Sequence, residues 1–204
     1  MKHPIFPLIF LFIIGFTFSV SGQSDIPVKI SVFNQGTNIP FTRMFTTPIH
    51  PGIQVGTEVW AKETQRMRLY PSINIGYLFH NNLYQAFYAN IELGYDYKFD
   101  FGLNIKSAIG IGYMHTFRTK EEYQFDNGQF VNGQQKGNSR VMPSLTLGLG
   151  YRLEPDNFRS TEIFTQYQSW IQYPFSPGFI PIMAHTNLHL GAKFYPFQGS
   201  ESQK

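Results

Sequence analysis

Hydrophobic and polar residues alternate along most of this chain with a period of two. The stretch Arg140 to Leu153 shows it most plainly. Val141, Leu145, Leu147, Leu149, Tyr151 and Leu153 occupy one parity, and Arg140, Ser144, Thr146, Gly148, Gly150 and Arg152 the other. Successive side chains of a strand point to opposite faces, so this segment has one apolar face and one face of small or charged groups. A helix of 3.6 residues per turn would mix the two sets.

The same alternation marks eight candidate strands, at about 28–34, 50–60, 66–80, 83–99, 101–118, 140–153, 160–173 and 183–197. Within them the charged residues all share the polar face: Lys29, Glu58, Arg66, Arg68, Glu92, Asp96, Lys98, Lys106, Arg118, Arg140, Arg152, Glu162 and Lys193. The longest connections lie near 35–49 and 119–139. The second holds Asn127-Gly128 and Asn132-Gly133, dipeptides suited to hairpin turns. A Gly-Tyr pair recurs at residues 76, 94, 112 and 150. Its tyrosines, Tyr77, Tyr95, Tyr113 and Tyr151, fall on the apolar parity near strand ends. Because neighbouring strands run in opposite directions, these tyrosines are expected at alternate rims, as aromatic girdles.

Composition turns a β pattern into a membrane pattern. Charged residues make up 14% of the chain and aromatic residues 17%, and the first figure is well below the roughly 25% of a soluble domain. Residues 1–22 combine Lys2, the apolar block Ile5 to Phe16 and the small residues Ser19 to Gly22, the pattern of a removable secretory signal. Residues 23–204 are then the barrel and a short C-terminal tail. No later run approaches the roughly 18 apolar residues of a spanning helix. Cysteine is absent, which excludes a lipoprotein anchor and a disulfide framework. Without Lys2 the net charge falls from +3 to +2, too little and too scattered to argue for nucleic acid.

A chain that lives in lipid without helices must close its sheet, because every backbone N–H and C=O needs a partner. The expected fold is all-β, an antiparallel up-and-down eight-stranded transmembrane β-barrel. A soluble lipocalin-like barrel is the inverse alternative, with the apolar face inward. The contents of the faces favour the membrane form. A charge at the bilayer midplane costs roughly 2 to 4 kcal/mol, and the apolar face carries none. The polar face, rich in Gly, Ala, Ser and Asn, suits a narrow lumen.

The signal segment, the eight alternating strands and the aromatic final strand together resemble the small outer-membrane barrels of the OmpA and OmpX type, over about residues 28–197. The resemblance implies Sec-type export to the outer membrane of a Gram-negative-type envelope and a monomer in contact with outer-membrane lipid and lipopolysaccharide. It also implies a C-terminal signal for the barrel assembly machinery. Phe194, Tyr195 and Phe197 resemble that signal, although further residues follow Phe197. A surface partner reached through the outer loops is a further expectation, and no cofactor is called for.

Candidate chemistry is sparse. Glu58, Glu92, Asp96 and Glu162, set among Arg66, Arg68, Lys98, Lys106, Arg152 and Lys193, are expected to form an ion-pair network that fills the lumen. Nine basic against four acidic lumen residues, counting Lys29, Arg118 and Arg140, leave positive charge uncompensated. His185 and His189, with backbones about 13 Å apart on one strand, are expected as polar lumen residues and not as metal ligands. A lipid A modifying hydrolase, similar in architecture to the lipid A deacylases, is the alternative function. His185-Thr186-Asn187 only loosely resembles their His-x-Ser-Asn segment, and His185 takes the lumen parity. His115 faces outward with no serine two residues away, so the expected role is an interfacial one and no catalytic residue is assigned. A narrow pore is a further alternative, opposed by an eight-strand interior just wide enough for side chains.

Overall fold

The computed structural model describes residues 26–81, 83–119, 123–126, 129–132, 137–176 and 179–196. The expected signal at 1–22, the Asn127-Gly128 turn, Gly133 and Phe197 lie outside the described residues. The strands are β1 (Val28–Gly36), β2 (Pro51–Glu58), β3 (Lys62–Glu63), β4 (Met67–Phe79), β5 (Tyr84–Lys98), β6 (Leu103–Arg118), β7 (Tyr123–Asp126), β8 (Gln129–Asn132), β9 (Asn138–Arg152), β10 (Glu162–Gln172) and β11 (Met183–Phe194).

Eight of these form the wall. The antiparallel order runs β2-β1-β11-β10-β9-β6-β5-β4, and a β2–β4 pairing closes it. The first and last strands pair along their length, from Val28 opposite Phe194 to Gly36 opposite Thr186. Closure leaves the wall no open edge, as lipid requires. β3 is a two-residue addition beside the start of β4, and β7 and β8 form a separate hairpin within the longest loop. Both ends of the strand series, Val28 and Phe194, lie at one mouth of the barrel. The β1–β2 connection at 37–50, and the ends of β6 and β9 at Arg118 and Asn138, lie at the opposite mouth.

Burial follows parity. Outward positions are exposed and apolar, among them Ile75 at 63%, Ile109 at 62% and Leu190 at 61% exposure, while Asp96, Arg152, Glu162 and Lys193 on the inward parity are at 0%. In water that arrangement would be inside out; surrounded by acyl chains it buries charge and presents hydrocarbon to hydrocarbon.

The narrow interior explains the glycines. Gly76 lies opposite Tyr88 and Gly94 opposite Tyr70, and a Cβ at either would meet the facing phenol ring at 2.2 to 2.6 Å. Gly52 stands in the same relation to Phe33. A large inward side chain is thus accommodated by a missing one across the ladder.

Candidate functional site

Three layers fill the lumen. At the termini end, Lys106 Nζ lies 2.7 Å from Asp96 Oδ2 and 2.6 Å from Glu162 Oε1. Arg152 Nε reaches Glu162 Oε2 at 3.1 Å, and Lys193 Nζ reaches Glu58 Oε1 at 3.2 Å. Arg68 pairs with Glu58 at 2.6 Å and with Glu63 at 3.1 Å. Tyr70 stands among these cations and donates its O–H to Asp96 Oδ1 at 2.9 Å. Its ring lies within 6.0 Å of Lys29, Arg68, Lys106 and Lys193, so its negative face adds to their stabilisation.

The middle layer is built of amides. Glu92 accepts from Asn74 at 3.0 Å, Asn90 at 3.2 Å, Gln168 at 3.0 Å and Thr146 at 3.4 Å. Among the described residues it has no salt-bridge partner, unlike the network expected from its sequence position. Hydrogen bonds from neutral donors replace the water a buried carboxylate loses.

At the loop end the lumen holds an apolar cluster. Leu78, Ala86, Met114 and Met142 are wholly buried, with Trp170 at 1% exposure, and they pack with Phe33, Tyr84 and Tyr88. His185 stacks on Trp170 at 4.3 Å and shares hydrogen bonds with Gln172 at 3.0 Å and Gln35 at 2.8 Å. His189 meets Ser31 at 3.1 Å. The two histidines thus have separate partner sets. The plug was readable in principle, since Leu78, Tyr84, Tyr88, Met114, Met142 and Trp170 all take the inward parity.

Two more expected members of the charged network, besides Glu92, stand apart from it. Arg66 precedes β4, and its side chain is 56% exposed at the termini-end rim, where it pairs with Asp100 at 2.8 Å. The pleat that should have turned it inward has not yet begun. Lys98 donates to the Pro155 carbonyl at 2.9 Å and lies over the Phe158 ring, tying the β9–β10 turn to the mouth. Glu63, on the short β3, joins the network from the rim. These shifts shrink the expected excess of positive charge. The closed cluster sets Lys29, Arg68, Lys106, Arg152 and Lys193 against Glu58, Asp96, Glu162 and the exposed Glu63, five cations to four carboxylates.

Tyr195, just past β11, keeps the inward parity of Lys193 and turns into the same mouth. It accepts from Arg68 at 3.0 Å and donates to the Phe158 carbonyl at 3.2 Å. Burial pushes its phenol up to about 12, against the pull of Arg68.

Of the four girdle candidates, Tyr77 and Tyr113 sit toward the loop end and Tyr95 and Tyr151 toward the termini end. Register adds what spacing along the chain did not show: Ser139 lies directly opposite His115. The Tyr113 hydroxyl bridges them, 3.1 Å from His115 Nδ1 and 2.9 Å from Ser139 Oγ. Among the described residues no carboxylate hydrogen-bonds to His115.

Solved structures share this architecture. Neisserial surface protein A superposes with a TM-score of 0.50 at 7% identity, over 83% of this chain and 95% of its own. The fold is that of the outer-membrane β-barrels. The outer membrane enzyme PagL (TM-score 0.47, 13% identity, 83% of this chain and 99% of its own) and the attachment invasion locus protein Ail of Yersinia pestis (0.47, 12%, 83% and 97%) are also similar. No protein-family model matches the sequence, and no curated protein matches it. In this fold short turns face the periplasm and longer loops the exterior, so the plug lies at the outer mouth and the ionic layer at the periplasmic one.

Proposed function

We propose that this protein is a monomeric outer-membrane barrel with a sealed lumen, acting in envelope structure or surface interaction through its outer loops and not by conducting solutes. The observation that carries this reading is the stack of plug, amide layer and ionic layer, in which Leu78, Met114, Met142 and Trp170 close the outer half. Solute passage would require breaking buried ion pairs, each worth several kcal/mol once a partner is lost. Export by the segment 1–22 and recognition of β11 by the assembly machinery belong to the same proposal. In planar bilayers the purified protein is expected to give no steady single-channel current. Sustained conductance would overturn the reading.

A second reading is lipid hydrolysis at the outer rim, favoured by the Ser139–Tyr113–His115 contact on the lipid side of the wall. Among the described residues no carboxylate hydrogen-bonds to the imidazole to orient it. Release of fatty acid from lipid A by the purified protein, abolished by Ser139→Ala, would establish it in place of the first.

A further inference from the structure

The β1–β2 loop does not stand up into the medium. It folds down over the outside of the wall. Tyr167 and Thr186 take the outward parity of β10 and β11, yet they are 5% and 3% exposed, while Ile163 and Leu190 on the same faces are 53% and 61% exposed. What covers them is the segment 37–49. Phe41 stacks on Tyr167 at 5.1 Å and donates its backbone N–H to the Tyr167 hydroxyl at 3.0 Å. Thr186 Oγ1 donates to Asn38 Oδ1 at 2.8 Å.

The strap is built for a solvent without hydrogen bonds. Its backbone groups find partners close by. The Ile39 carbonyl accepts from the N–H and hydroxyl of Thr42 at 3.3 and 2.6 Å and from Asn38 at 3.1 Å. Asn38 also donates to the Arg43 carbonyl at 3.3 Å, and Asn34 donates to the Thr46 carbonyl at 2.8 Å. Irregular backbone survives beside lipid only when satisfied in this way. Its exposed side chains include Ile39, Phe45 and Ile49, at 56% to 70%, beside the polar Thr42, Arg43 and Thr47. Phe41 holds a φ of 63°, a conformation that bulky residues rarely adopt, which places its ring against the wall.

Between strap and wall runs a cavity of about 420 Å³ whose apolar lining includes Phe41, Met44, Leu147, Leu149, Tyr167 and Leu188. We propose that this groove is a lipid site that seats one acyl chain of lipid A. Two features select that occupant. The groove opens on the lipid-facing wall, so hydrocarbon is what meets it. The strap is rooted at the outer mouth, at Gly36 and His50, and hangs from there down the wall as far as Ile105 and Leu149, so an acyl chain that enters at its root comes from the outer leaflet. The inference deepens the expected lipopolysaccharide contact and rests on the lipid-facing reading of the wall.

The test uses the full barrel refolded into phospholipid nanodiscs doped with purified lipid A, then extracted stepwise with mild detergent and weighed intact by native mass spectrometry. The wild type is expected to keep a single lipid A molecule after the phospholipid is gone. Phe41→Asp with Met44→Asp is expected to lower the retained fraction at least tenfold. Phe179→Asp, a like charge at an exposed loop tip away from the groove, is expected to leave it unchanged. Heat-modifiable gel mobility checks that each variant is folded. Equal retention in wild type and strap variant, or phospholipid held as firmly as lipid A, would overturn the proposal. A protein that stays soluble without detergent would instead sink the membrane reading beneath it.

Discussion

Lys106→Met is the sharpest probe of the periplasmic ionic layer. Methionine keeps the length of the side chain and removes its charge, leaving Asp96 and Glu162 facing each other across the vacated ammonium site. At an effective dielectric of about 20, each contact of 2.6 to 2.7 Å carries about 6 kcal/mol of gross attraction. Desolvating the three charges returns several kcal/mol per ion. Loss of one partner from such a buried set costs about 3 to 5 kcal/mol. The low end applies here, because Arg152 still lies 3.1 Å from Glu162 and 3.6 Å from Asp96, and Tyr70 still donates to Asp96.

The measurement is urea unfolding of the refolded barrel in lipid vesicles, followed by tryptophan fluorescence and by gel mobility without heating. Trp170 is buried in the lumen while Trp60 is 50% exposed, so the emission shift on unfolding reports mainly on the plug. A loss of about 3 kcal/mol is expected. Lys106→Met with Glu162→Gln should then lose less than the two single variants added together, with a coupling of about 1 to 3 kcal/mol. A loss below about 1 kcal/mol, or simple additivity, would mean that water screens these groups and the layer does not hold the barrel shut.

Other perturbations test other parts of the wall. Ile109→Arg places a charge on the lipid face at mid-strand and should cost about 2 to 4 kcal/mol, read as a lower folded fraction in vesicles. Gly76→Ala puts a methyl group where the Tyr88 ring lies, 2.2 Å away, and breaks the 2.7 Å bond from Tyr88 to Gln54. A loss of about 1 to 3 kcal/mol is expected, and this increment should nearly vanish when Gly76→Ala is made in a Tyr88→Ala background. At the outer mouth His50 and His80 stack at 3.6 Å, and burial, then the neighbouring His50, lowers the His80 pKa below its usual 6.5. The unfolded chain therefore binds this proton first. Stability from His80 is complete above about pH 6.5 and declines as pH falls toward the lowered value. The urea midpoint should drop between pH 7.5 and pH 5, and by less in His80→Gln.

Much of the barrel is legible in the sequence because its strongest signal is local. Inward and outward positions differ by a single step along the chain, and every charge within the eight wall strands keeps one parity. Strand ends are less legible, since the pleat stops where a side chain finds a better partner. Tyr195 leaves the expected last strand to meet Arg68, and Arg66 stays outside β4 beside Asp100. The pairing of charges is not local at all. Glu92 and Glu162 look alike in sequence, yet one is held by amides and the other by three cations. Register decides this, and register is fixed by closure of the whole sheet. The Ser139–His115 pairing and the strap were hidden for the same reason, because both depend on strands far apart in sequence being neighbours.

Closure also constrains where function can reside. In so narrow a barrel every large inward residue needs space taken from across the ladder, as Tyr88 takes it from Gly76 and Tyr70 from Gly94. The interior is therefore a fitted set, and a change that opens a passage also removes packing that holds the wall. A lumen so committed to stability has little freedom left for chemistry or transport. The surfaces free to vary are those that no lumen neighbour constrains: the outer rim, with Phe179 at 83% exposure, and the strap that lies on the wall without being part of it. On the proposed reading, activity is to be sought where the barrel meets lipid and the medium, and the ionic layer and the plug keep that outer surface in place.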